Sequence, residues 1–85
     1  MKKIAYIELD THAEIARNFM DLMKDSSEFS VDYYFSEKIA KQINRTGESI
    51  FVTKSSEIFN LLKDKDYELV ILGTVHRYFD TFLKI

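Results

Sequence analysis

Two short stretches hold most of the side chains that could do chemistry. Residues 8–12 read Glu-Leu-Asp-Thr-His and follow the apolar run Ile4-Ala5-Tyr6-Ile7. Residues 73–77 read Gly-Thr-Val-His-Arg and follow Leu69-Val70-Ile71-Leu72. Each stretch falls where a strand should end and a helix begin, and between them they carry both histidines of the chain. A neutral imidazole can act as a base or a hydrogen-bond donor near pH 7, and amides at a helix N-terminus favour anions. His12 is therefore the candidate base, with Asp10, Thr11, Gly73, Thr74, His76 and Arg77 as candidate substrate contacts. The same residues also have structural readings. Asp10 and Thr11 are ordinary helix-capping types, Gly73 suits a tight strand-to-helix turn, and His12, His76 and Arg77 can simply stand in solvent.

Other chemistries find less support. Asp10, His12 and His76 make a set of two imidazoles and a carboxylate, too thin a basis for a metal site, and no metal or cofactor is expected. There is no cysteine, so disulfides and thiolate metal sites are excluded. Neither a G-x-G-x-x-G turn nor a P-loop occurs, and no nucleophile elbow supports Ser-His-Asp catalysis. The Tyr33-Tyr34-Phe35 cluster has no flanking basic residues to make it a base-stacking surface. Lysine and glutamate are mixed along the chain, net charge is −2 and no basic face forms, which argues against a nucleic-acid binder.

The elements that must position these residues are legible from periodicity. Ile4 to Leu9 is a nearly continuous apolar strand of the kind buried on both faces of a parallel sheet. Thr11-His-Ala-Glu14 fits a capping box, opening a helix with Ile15, Phe19, Leu22 and Met23 inward and Ala16 and Met20 widening the stripe. Phe29, Val31, Tyr33 and Phe35 alternate with polar neighbours in a second strand. Ser36 caps a short helix carrying Ile39, Ala40 and Ile43, stopped by Asn44 to Gly47. Ile50 to Val52 is a brief third strand. Ser55 or Ser56 caps a helix with Ile58, Leu61 and Leu62 inward, and Tyr67 to Leu72 is a fourth strand. Val75, Tyr78, Phe79, Phe82 and Leu83 form a last helical stripe. The alternation βαβαβαβα predicts a Rossmann-like α/β sandwich, with helices on both faces of a parallel sheet ordered 3-2-1-4. Strands one and four, the most apolar, are expected at its centre.

The 85 residues make one domain at most, with 46% apolar residues for a core. Glu8 and Asp10 break the N-terminal apolar run far short of a secretory signal, and no segment reaches the ~18 apolar residues of a membrane span. A cytoplasmic protein is expected. The last stripe is a strong apolar face with nothing after it, so residues 1–85 are expected to be the N-terminal part of a longer protein. Dimerisation through that last helix or an open sheet edge is the other use for such a face.

Two resemblances bear on function. Asp10-Thr-His12 is similar to the cobalamin-binding D-x-H-x-x-G motif, but Ile15 stands where its glycine belongs. Over nearly all 85 residues the segments KKIAYIELDTHAEIARNFMDLM, SVDYYF, SIFVTK and YELVILGTVHRYF resemble the opening units of the amino-terminal domain of GT-B glycosyltransferases. The Tyr-x-Leu-Val-Ile-Leu-Gly strand is typical of that domain. The resemblance implies that a nucleotide-sugar sits mainly on a second domain while this one shapes the glycan-acceptor side of the cleft, which would explain why no glycine-rich phosphate loop follows the first strand. It implies that His12 and His76 line the acceptor side with Asp10, Thr11 and Thr74, and that the chain alone is not catalytically complete. The alternative is a small flavodoxin-like or receiver-like binding module. It lacks support in Val52-Thr53-Lys54, which offers no phosphoacceptor, and in Thr11, which alone makes no flavin-phosphate loop.

Overall fold

The structure, a computed structural model, describes residues 1–45 and 49–73. Their elements run β1 (Lys2–Glu8), α1 (Ala13–Met23), β2 (Phe29–Phe35), α2 (Glu37–Ile43), β3 (Ser49–Val52), α3 (Ser55–Leu62) and β4 (Leu69–Leu72). All neighbouring strands are parallel and the order is β3-β2-β1-β4. This is the Rossmann-like α/β sheet that the alternation of elements predicts. Flavodoxin-like and receiver-like sheets place their third strand beside the first; here β4 takes that place. The final apolar stripe, Val75 to Leu83, lies outside the described residues.

The layering follows from handedness. The crossovers through α1 and α2 step outward in one direction, and the one through α3 steps back past β2 and β1. Right-handed connections therefore put α3 on the opposite face. The sheet separates two cores accordingly. Tyr6, Tyr33 and Phe35 pack with Met20 of α1 and Ile39 and Ile43 of α2 on one face. Ala5, Ile7 and Tyr34 pack with Ile58 and Leu62 of α3 on the other. In this order β1 and β2 are central and β4 is an edge of the described sheet, so the expected central place of the fourth strand is corrected. Leu69 of β4 is exposed and the next three residues are half-buried.

Several local expectations hold. Ser36 accepts the Ile39 amide at 3.2 Å and starts α2. Asn44 ends it in the left-handed conformation (φ 51°), donating to the Ala40 carbonyl at 2.9 Å. Others are corrected. The buried residues of α1 are Ala13, Ala16 and Met20, while Ile15 is 54% and Leu22 76% exposed. The helix is turned so that Ala13, Ala16 and Met20, at i, i+3 and i+7, meet Tyr6, Tyr33 and Phe35, and Ile15 and Leu22 fall off that face. The N-cap of α1 is His12, with no side-chain cap bond, so the Thr11–Glu14 capping box does not form; Glu14 pairs with Arg17 at 2.8 Å instead. Ser55 is the first residue of α3 rather than its cap, and Leu61 is partly exposed.

A hydrogen-bonded chain braces the α3 face. Tyr67 Oη donates to Asp32 Oδ2 at 2.7 Å and lies 2.6 Å from the Tyr34 hydroxyl, while Lys3 Nζ sits 3.8 Å from Asp32. Burial, then these two hydrogen bonds, raise the Tyr67 phenol well above its ordinary value. A phenol raised by folding contributes its stability in full below its unfolded pKa of about 10 and loses it as pH climbs toward the folded value. Stability should therefore hold up to about pH 9 and fall steeply above 10. Tyr67→Phe should cost about 1–2 kcal/mol at pH 7 and flatten the alkaline fall. Denaturant curves at neutral and alkaline pH check this; equal alkaline slopes for both proteins would refute it.

Candidate functional site at the carboxyl ends of β1 and β4

The strand order reverses at β1, whose neighbours β2 and β4 are reached by crossovers on opposite faces. The carboxyl ends beside such a reversal form the crevice where open α/β sheets bind ligands. Ile7 pairs with Leu72, and the Gly73 amide donates to the Ile7 carbonyl at 2.8 Å. The Ser36 amide donates to the Glu8 carbonyl and the Thr53 amide to the Phe35 carbonyl, so the rims of β1, β2 and β3 are laced together. The two predicted loops thus start side by side, and Gly73 comes to rest against Glu8.

Of the predicted site residues, Asp10 is half-buried, Thr11 and His12 are exposed, and Gly73 is half-buried. Thr74, His76 and Arg77 lie outside the described residues. Thr11 Oγ1 is 3.3 Å from His12 Nδ1, so the hydroxyl serves the imidazole rather than an orphan helix amide. The imidazole remains 44% exposed.

The residue that organises this loop is Glu8, which the sequence did not single out. It is completely buried at the end of β1. Its Oε2 accepts the Asp10 amide at 3.0 Å, and its Oε1 lies 3.9 Å from His12 Nδ1. The carboxylate therefore sits beneath the β1–α1 turn and fixes both the backbone at Asp10 and the neighbourhood of the imidazole. Burial, and after it the charge of Glu8, raise the Tyr6 phenol two residues earlier in the strand. The sequence carried a partial signal, which did not say that the carboxyl group would be buried. A charged residue closing a strand buried on both faces must find partners at that spot.

Gly73 also has a different role from the expected one. Its φ lies outside the left-handed region, so the turn itself does not demand glycine. A Cβ there would instead collide with Glu8 Oε1 and approach its Cδ to 3.2 Å. Gly73 is the space that the Glu8 carboxyl group occupies.

Compared with known proteins, the chain matches no family model and no curated protein. Among the described residues, no helix is long and apolar enough to cross a membrane.

Proposed function

We propose that the chain is the acceptor-side, N-terminal Rossmann-like domain of a two-domain GT-B glycosyltransferase. The supporting observation is the construction of the β1–α1 turn. In nucleotide-binding sheets this turn is glycine-rich, and its amides face a phosphate. Here the Asp10 amide is taken by the Glu8 carboxylate, and the turn offers solvent a hydroxyl and an imidazole. Such a surface suits sugar hydroxyls better than a pyrophosphate. The strand order favours this reading over the flavodoxin-like or receiver-like alternative.

In this reading the nucleotide-sugar is held by a second domain across the cleft. His12 accepts the proton of the acceptor hydroxyl as its oxygen bonds to the anomeric carbon. The anomeric carbon–phosphate oxygen bond breaks, and the nucleotide leaves with that electron pair. Asp10, Thr11, Gly73, Thr74, His76 and Arg77 are assigned to holding the acceptor.

His12→Ala and His76→Ala should each weaken saccharide binding by about tenfold, the loss of one good hydrogen bond, with the unfolding midpoint unchanged. Isothermal calorimetry with a glycan panel and thermal unfolding measure the two quantities. Unaltered saccharide binding by His12→Ala would remove His12 from the site, and serious unfolding would make it structural.

A further inference from the structure

We infer that Glu8 is a resident anion that sets the ligand class of the crevice: it excludes phosphate-bearing groups and admits uncharged or cationic hydroxylated ones. The inference rests on the acceptor-site reading for what binds, and on the structure alone for what is kept out. Three observations carry it. The Glu8 carboxyl group is fully buried at the carboxyl end of β1, against Gly73. One of its oxygens already takes the Asp10 amide, one of the donors that a bound phosphate would need from this turn. Gly73 supplies the cavity that holds the carboxyl group, so both strand ends contribute to housing it.

The electrostatics follow. The N-terminus of α1 offers about half a positive charge to the crevice. A carboxylate a few ångströms away outweighs it, and Asp10 and Glu14 stand on the same turn and first helical residues. A phosphate entering here would meet like charge in a region partly shielded from water, where such repulsion is strong. A neutral pyranose meets no such penalty, and an amino sugar gains from the same charge. Arg17, the cation nearest in sequence on α1, is engaged by Glu14 at 2.8 Å and by the Gln42 carbonyl at 2.6 Å.

The test is a 15N–1H titration of the 85-residue chain with inorganic phosphate, methyl glucoside, glucosamine and glucose 6-phosphate. It is repeated on Glu8→Gln, which removes the charge, and on Glu8→Ser, which also vacates the space. In the wild type, phosphate and glucose 6-phosphate should leave the amides of Asp10, Thr11 and His12 unmoved. Either folded variant should bind phosphate there at least about tenfold more tightly. Phosphate binding to these amides in the wild type would overturn the inference, and so would a folded Glu8→Ser chain that gains none. The wild-type arm stands even where a variant does not fold. The two readings also fail separately. If the variants gain phosphate but no saccharide binds the wild type, the acceptor reading falls and the anion exclusion stands. If saccharide and phosphate both bind the wild type at these amides, the reverse holds.

Discussion

Phe35→Ala should destabilise the domain by about 3–5 kcal/mol, the usual cost of emptying a buried aromatic site. Phe35 closes β2 with no exposed surface, in the core shared with Met20, Ile39 and Ile43, and its ring centroid lies 5.6 Å from that of Tyr33. Little can collapse into the gap, because the ring is held between two helices and a sheet whose rim is fixed by the hydrogen bond from the Thr53 amide to the Phe35 carbonyl. A domain of this length has only about 4–13 kcal/mol to lose, so the variant should be largely unfolded at moderate temperature. Urea denaturation would show the midpoint falling with little change in slope. A loss under 1 kcal/mol would mean that the α1–α2 face is not packed as described.

The second large effect is at Gly73. Adding one methyl group there forces the Glu8 carboxyl group to move, and it is not free to swing because it is enclosed on all sides and bonded to the Asp10 amide. Gly73→Ala should cost about 2–3 kcal/mol through overpacking and the weakened buried hydrogen bond. The cause can be isolated. In a Glu8→Ser background the methyl group has room, so the same substitution should cost under about 1 kcal/mol and the cycle should show strong coupling. If Gly73→Ala is equally costly in both backgrounds, the glycine is required by the backbone and not by Glu8.

The architecture was readable because its rules are topological. Alternating apolar runs and helical stripes called for parallel strands, and one reversal of right-handed crossovers called for the order that the sheet adopts. Caps with a local mechanism, such as Ser36, were equally readable. What escaped depends on distances between elements. A hydropathy stripe favours Ile15 and Leu22, yet the rotation of α1 against the sheet is set by its contacts with three aromatic rings, and these are made by Ala13, Ala16 and Met20. Asn44 takes the left-handed stop of α2, a conformation its short polar side chain tolerates. At the candidate site, the placing of Asp10, Thr11, His12 and Gly73 at two neighbouring strand ends was legible from the apolar runs they follow. Glu8 was not, because an acid after an apolar run reads as the end of burial. Only the neighbouring strand, with a glycine at the right height, makes a fully buried carboxyl group intelligible.

The central claim is that the crevice between the ends of β1 and β4 receives a glycan acceptor. The most direct test is to map 15N–1H shifts during titration of the chain with oligosaccharides, nucleotide-sugars and flavin mononucleotide. Saccharide-induced shifts clustered at Asp10, Thr11, His12 and Gly73, with none from flavin mononucleotide, are the result the account predicts. Saccharides that leave these amides unmoved, or flavin mononucleotide that shifts them, would contradict it.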